Sequence, residues 1–171
     1  AFAGVSLQTL EDEEQIIDAA EAAAQEHDIV LIDVAGVRSR ALLYAAGIAD
    51  LVIVPAQPSE DDIDEAINTI EAVKSAGKLA KRDIKYRVLL SQTRKGTIVL
   101  EHAAKQFEEI NNIKIFRTTI GQREAHKQAR FYGTTVMRTE PKSPAAEDFT
   151  NLGKEIDKVL KEEAKLQKQA A

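Results

Sequence analysis

Residues 28–59 read DIVLIDVAGVRSRALLYAAGIADLVIVPAQPS, and the pattern of this stretch decides the fold. Ile29-Val30-Leu31-Ile32 is a short, continuous apolar run that ends at Asp33, and Leu51-Val52-Ile53-Val54 is a second that ends at Pro55. Runs this short, rich in β-branched residues and lacking polar alternation, predict strands buried on both faces. Moving outward, Tyr86 to Leu90 (YRVLL) predicts a third strand and Ile113 to Phe116 (IKIF) a weaker fourth. Helical spacing fills the gaps, over about 39–48, 60–76, 97–110 and 120–132, with a final helix from about 145 to 166. Upstream, residues 11–26 (EDEEQIIDAAEAAAQE) predict an acidic, alanine-rich helix with Thr9 as its cap. Strand and helix alternate throughout, which predicts an α/β fold whose mostly parallel sheet is flanked by helices on both faces. Neither a repeat nor a dividing linker appears, so residues 1–171 read as a single domain.

Composition narrows the function classes. The chain has no cysteine, which excludes disulfides and thiolate metal sites and suits a reducing cytoplasm. His27, His102 and His126 lack paired ligand spacing, and Ser39 and Ser91 lack a G-x-S-x-G setting. A net charge of -5 argues against a surface coated in basic residues, although a local basic face is compatible with it. No apolar run approaches the roughly 18 residues that span a bilayer.

In open parallel sheets ligands bind at the carboxyl ends of the strands. Asp33-Val34-Ala35-Gly36 follows the first run, in the arrangement of a Walker B motif. A carboxylate there holds Mg²⁺, usually through water, and the nearby glycine lets backbone approach a γ-phosphate. A strand-end aspartate also serves as a turn or helix cap, and the motif alone does not separate the two.

The whole stretch from Asp28 to Ser59 resembles the ParA/MinD family of deviant-Walker P-loop ATPases. The matching elements are Asp33 to Gly36, then Ala49-Asp50-Leu51-Val52-Ile53-Val54-Pro55, then Gln57-Pro58-Ser59. Downstream, Tyr86 to Arg94 (YRVLLSQTR) is similar to the strand and loop that embrace adenine. Phe116 to Arg123 (FRTTIGQR), with Ala125 and Gly133, is similar to the family's F-x-T-x-I…R…A…G segment. The nearest likeness is to small plasmid-partition ParA proteins, over about residues 10–160. It implies a P-loop ATPase fold in which Asp33 is catalytic and positions Mg²⁺ through water. It further implies that Gly36 senses the γ-phosphate, that residues 37–47 form a switch and dimer surface, and that Ser91, Gln92, Thr93 and Arg94 line the base pocket.

One departure is large. The family opens with a strand and a K-G-G-x-G-K-T loop, whereas no G-x-x-x-x-G-K-[ST] occurs here. Gly77-Lys78 reads instead as the end of a helix, where glycine is a normal stop. The resemblance therefore implies the C-terminal two-thirds of a ParA-like ATPase, without its first strand and P-loop and inactive alone. The missing strand would lie between those at 29–33 and 51–54.

Arg123, Lys127 and Arg130 fall at spacings of four and three in the densest basic stretch. They read either as a solvated helix face or, by resemblance, as the surface that binds DNA without sequence preference. The final helix carries Leu152, Ile156, Val159 and Leu160 at helical spacing; packing on the sheet accounts for these better than a grip on membranes. The function implied is ATP- and Mg²⁺-dependent DNA partition by a homodimer. Its partners would be non-specific DNA and a ParB-like or other cargo adaptor, in a cytoplasmic, nucleoid-associated setting without stable membrane association. A MinD-like membrane-associated regulator and a degenerate, non-catalytic scaffold are the alternatives.

Overall fold

The computed structural model describes residues 4–34 and 39–170, the side chains of 163–170 excepted. The chain packs as two compact units, residues 50–70 with 85–171 and residues 1–49 with 71–84.

The larger unit holds the sheet. Strands β1 (Val52–Ala56) and β2 (Tyr86–Leu90) pair in parallel, in a register that sets Val54 beside Val88. Parallel neighbours need a crossover, and α3 (Glu60–Ala80) leaves β1 to provide it. Ser59 starts that helix: its hydroxyl accepts from the Asp62 amide, while the Asp62 carboxylate accepts from the Gln57 amide. The IKIF segment lies along the other edge of β2. There Val88 N–H donates to Lys114 and Phe116 N–H donates to Val88, in a parallel bridge too short for a full strand.

Both faces of this sheet are covered, as the unalternating apolar runs predict. On one side Val54, Ala56, Val88 and Leu90 meet Ile63, Ala66 and Ile70 of α3, together with Ala103 of α4 (Ile98–Lys105) and Phe107. Phe107 sits in a wide π-type turn, Gln106–Ile110, that prolongs α4 and buries the ring completely. On the other side Leu89 and Phe116 meet Leu152, Ile156 and Val159 of α7 (Pro144–Ala170). The apolar stripe of α7 is thus used in the core over 152–159. Two shorter helices, α5 (Glu124–Phe131) and α6 (Val136–Thr139), join the IKIF edge to α7. The architecture is α/β, a parallel sheet flanked by helices.

The smaller unit contains α1 (Ile16–Glu26), α2 (Arg40–Ile48) and the last turns of α3. Asp12, rather than Thr9, caps the single 3₁₀ turn that leads into α1, by accepting from the Glu14 amide. The Ser39 hydroxyl caps α2, and the Arg82 guanidinium closes its other end on the carbonyls of Gly47 and Ala49. Gly77 does not stop α3, which runs on to Ala80. The stop is Lys81, left-handed at φ 53, with the Arg82 amide returning to the Gly77 carbonyl. Glycine is required at 77 because a Cβ there would lie 2.8 Å from the Arg82 oxygen.

The strand expected at 29–33 does not form, and among the described residues no strand precedes β1. Ile29 is 75% exposed and Leu31 90% exposed. Apolar character does not make a strand by itself; backbone partners do, and residues 27–34 have no ladder to join.

Candidate functional site

The loops at the carboxyl end of β2 are tied to one another by backbone and side-chain hydrogen bonds. Ser91 continues the ladder by donating its amide to the Ala56 carbonyl, and its hydroxyl points to the same oxygen at 3.5 Å. Gln92 then takes a left-handed conformation, φ 51. A non-glycine residue held there is strained by about 1–3 kcal/mol, and such strain gathers at ligand sites. Thr93 turns back inward and is buried. Its amide donates to Ile120, its carbonyl accepts from Gln122, and its hydroxyl lies 3.1 Å from the Thr119 hydroxyl. Arg94 stays exposed, with Nε donating to Gln122 Oε1 at 3.0 Å. Thr97 ties off the loop: its hydroxyl donates to the Arg94 carbonyl and accepts from the Leu100 amide at the start of α4.

The second loop, 117–123, is locked to the first by those bonds and to α7 by carboxylates. Glu155 accepts from the amides of Arg117 and Thr118 at 2.8 and 2.9 Å. Partial burial pushes the Glu155 carboxyl up, but these amides and the positive charge of Arg87 outweigh it and hold the group below the usual carboxylate range. Asp148 is 7% exposed and accepts from the Gly121 amide and from Nε and a terminal nitrogen of Arg123. A side chain at 121 would crowd that guanidinium, with a Cβ only 3.0 Å from it.

These contacts bring together the four residues expected around a base, Ser91 to Arg94. They add Thr119, Gln122, Asp148 and Glu155, which sequence reasoning did not assign. A signal existed for the last two: they stand two turns apart on α7, flanking the core residue Leu152. Asp33 belongs to the smaller unit, where it is exposed at the end of the unpaired segment, and Gly36 lies outside the described residues. Among the described residues no group of three or more His, Cys, Asp or Glu side chains gathers to hold a metal. A single carboxylate such as Asp33 can serve Mg²⁺ through water when nucleotide phosphates supply the other ligands.

Of the three basic residues expected on one helix face, Arg123 precedes α5 and is spent on Asp148. Lys127 and Arg130 lie on α5 and are exposed, Lys127 within 3.7 Å of Glu124. Phe131 and Tyr132 follow, 89% and 77% exposed, their rings edge to face.

The family model for ATPase MipZ matches residues 3–135. The chain belongs to this family of ATPases. That places it among ParA/MinD-type P-loop ATPases, as the residues quoted above imply. A relative of this MipZ-family chain is the sporulation initiation inhibitor protein Soj of Bacillus subtilis (strain 168), 24% identical over 153 residues. The match covers 86% of the chain and 59% of Soj. Among solved structures, the cell division ATPase MinD of Pyrococcus furiosus shares the fold, with a TM-score of 0.70 at 16% identity. That likeness covers 86% of the chain and 59% of MinD, so the chain spans about three-fifths of the length of each relative. No helix among the described residues is long and apolar enough to cross a membrane.

Proposed function

We propose that residues 1–171 belong to one ATPase domain of a ParA-type partition protein, and that the complete protein binds and hydrolyses ATP with Mg²⁺. The observation that carries this reading is the interlocked pair of loops, 91–94 and 119–122, at the carboxyl end of a parallel strand in a MipZ-family chain. Strained, polar and rigidly buttressed, the first loop suits a flat base that is held by its edge. Ser91, Gln92, Thr93 and Arg94 take the adenine, and Arg94, oriented by Gln122, offers its guanidinium plane for stacking. Asp33 positions Mg²⁺ through water, and Gly36 senses the γ-phosphate. The chain contains no phosphate loop of the G-x-x-x-x-G-K-[ST] form, so residues 1–171 alone should not turn over ATP.

DNA is the partner that the α5 surface favours over a lipid bilayer. Lys127 and Arg130 present positive charge on a helix of an otherwise acidic chain, while the apolar stripe of α7 is occupied by the sheet. Because Asp148 neutralises Arg123, one chain offers few charges and binds duplex weakly. An ATP-bound homodimer doubles the patch and makes binding multivalent. A ParB-like or other adaptor would stimulate release, in a cytoplasmic, nucleoid-associated cycle. The test is a salt titration of affinity for unrelated duplexes in the complete protein with ATP, wild type against Lys127→Glu/Arg130→Glu. The reading expects weaker binding of every sequence and a flatter dependence of log K on log salt; an unchanged slope and affinity sinks it.

A further inference from the structure

Six of the seven amides of segment 116–122 divide between two supports. Phe116, Ile120 and Gln122 donate toward β2 and the 91–94 loop, while Arg117, Thr118 and Gly121 donate to carboxylates of α7. The first set is what pairing along a strand edge would give. The second depends on two side chains, Asp148 and Glu155, from a helix 27 to 38 residues further along the chain. Asp148 also folds the Arg123 guanidinium back over Gly121, closing the segment at its far end. Gln122, which orients Arg94, and Thr119, which meets Thr93, both sit inside the stretch that these carboxylates hold.

We propose that Asp148 and Glu155 are positioning residues for nucleotide recognition: α7 sets the affinity for the adenine base by fixing the 117–123 segment that orients Thr93 and Arg94. The inference rests on the reading of 91–94 as the base loop. Neither carboxylate touches nucleotide. Each raises the fraction of molecules in which the two loops are locked, and apparent affinity scales with that competent fraction. A carboxylate that accepts from backbone amides loses much of its hold when its charge is removed, even with the shape conserved. α7 is thereby also a lever, since anything that shifts it along the sheet loosens the base loop without contact to the ligand.

The experiment measures equilibrium binding of ATP and of inorganic tripolyphosphate to the complete protein, as wild type, Asp148→Asn, Glu155→Gln and Arg94→Ala. Asp148→Asn should raise the Kd for ATP about tenfold through the lost competent fraction, with tripolyphosphate affinity held within about twofold. Glu155→Gln should act in the same direction with a smaller effect, and amide exchange at Gly121 should quicken in step with the Asp148→Asn loss. Equal losses for both ligands would show general destabilisation and overturn the inference. If Arg94→Ala weakens ATP binding while Asp148→Asn and Glu155→Gln do not, the base loop stands and the role of α7 falls. If Arg94→Ala leaves ATP binding unchanged, the base-loop reading fails, and this inference with it. Should Asp148→Asn not fold, Glu155→Gln decides by the same ratio of ATP to tripolyphosphate affinity.

Discussion

Two apolar runs of almost the same composition end in opposite states. Val52 to Val54 becomes the heart of a strand, with Val54 4% exposed against α3 and β2. Ile29 to Ile32 forms no strand, and Leu31 is 90% exposed. The difference does not lie in propensity, since both runs are rich in β-branched residues and each follows an aspartate, Asp28 or Asp50. It lies in supply: β1 finds β2 for its hydrogen bonds and α3 for its side chains, whereas the first run has neither among the described residues. A buried strand is a property of its neighbours as much as of its own sequence.

The sharpest way to break this comparison is to truncate one residue on each side of it. Phe107→Ala removes a fully buried ring from the core beneath β1 and β2 and should cost about 3–5 kcal/mol. Leu31→Ala should cost less than about 0.5 kcal/mol, as for any exposed position. Urea unfolding of residues 1–171 followed by circular dichroism measures both. Similar losses would mean that the 27–34 segment is packed after all.

A second contrast concerns the α7 carboxylates, where contact is made across sequence distance. Asp148→Ala strands the Arg123 guanidinium and the Gly121 amide at a mostly buried position, and should cost about 2–3 kcal/mol in the same unfolding experiment. The solvent-exposed pair of Lys161 and Asp157, at 2.7 Å, is a control: Asp157→Ala should shift stability by less than about 0.5 kcal/mol.

Glycine gives a third pair, with opposite signs. Gly153→Ala within α7 meets open space and should stabilise by roughly 0.5–1 kcal/mol through helix propensity. Gly77→Ala also gains propensity, but its Cβ meets the Arg82 carbonyl at 2.8 Å, so the net should be a loss of about 1 kcal/mol. Thermal melts of the two variants decide the signs.

The smallest effect expected is a pH dependence. The Glu155 carboxyl is held below its ordinary value in the folded chain, so the unfolded chain binds its proton more readily. Its contribution is fully present above the ordinary carboxylate pKa and fades as pH falls through the lowered one. Glu155→Gln should therefore cost under about 1 kcal/mol at pH 7, and the gap from wild type should close on acidification. A gap that widens in acid would contradict the assigned direction.

How much of this was legible in the sequence follows the same division. Strand β2 lies where YRVLL is, and α2 lies within the helical stretch expected at 39–48, because a buried strand and a helical period are local patterns. The end of α3 was misplaced at Gly77, since the role of that glycine is set by the carbonyl of Arg82, five residues on. The strand at 29–33 was expected from its side chains alone, which carry no information about backbone partners. Ser91 to Arg94 were marked by family resemblance, and the structure adds the bonds that stiffen them. Arg123 looked like part of a basic helix face because its partner, Asp148, is 25 residues away. Spacing within a helix cannot reveal a charge neutralised from another one.

The central claim, that this chain belongs to a working ATPase with Asp33 at its metal, is tested most directly by steady-state ATP turnover of the complete protein. Wild type and Asp33→Ala are compared with saturating ATP and Mg²⁺, after circular dichroism has shown equal folding. The account predicts Mg²⁺-dependent turnover in the wild type and a loss of at least about a hundredfold in the variant, because the metal loses its protein anchor. Turnover by Asp33→Ala equal to wild type would contradict it and leave Asp33 as the polar end of an unpaired segment.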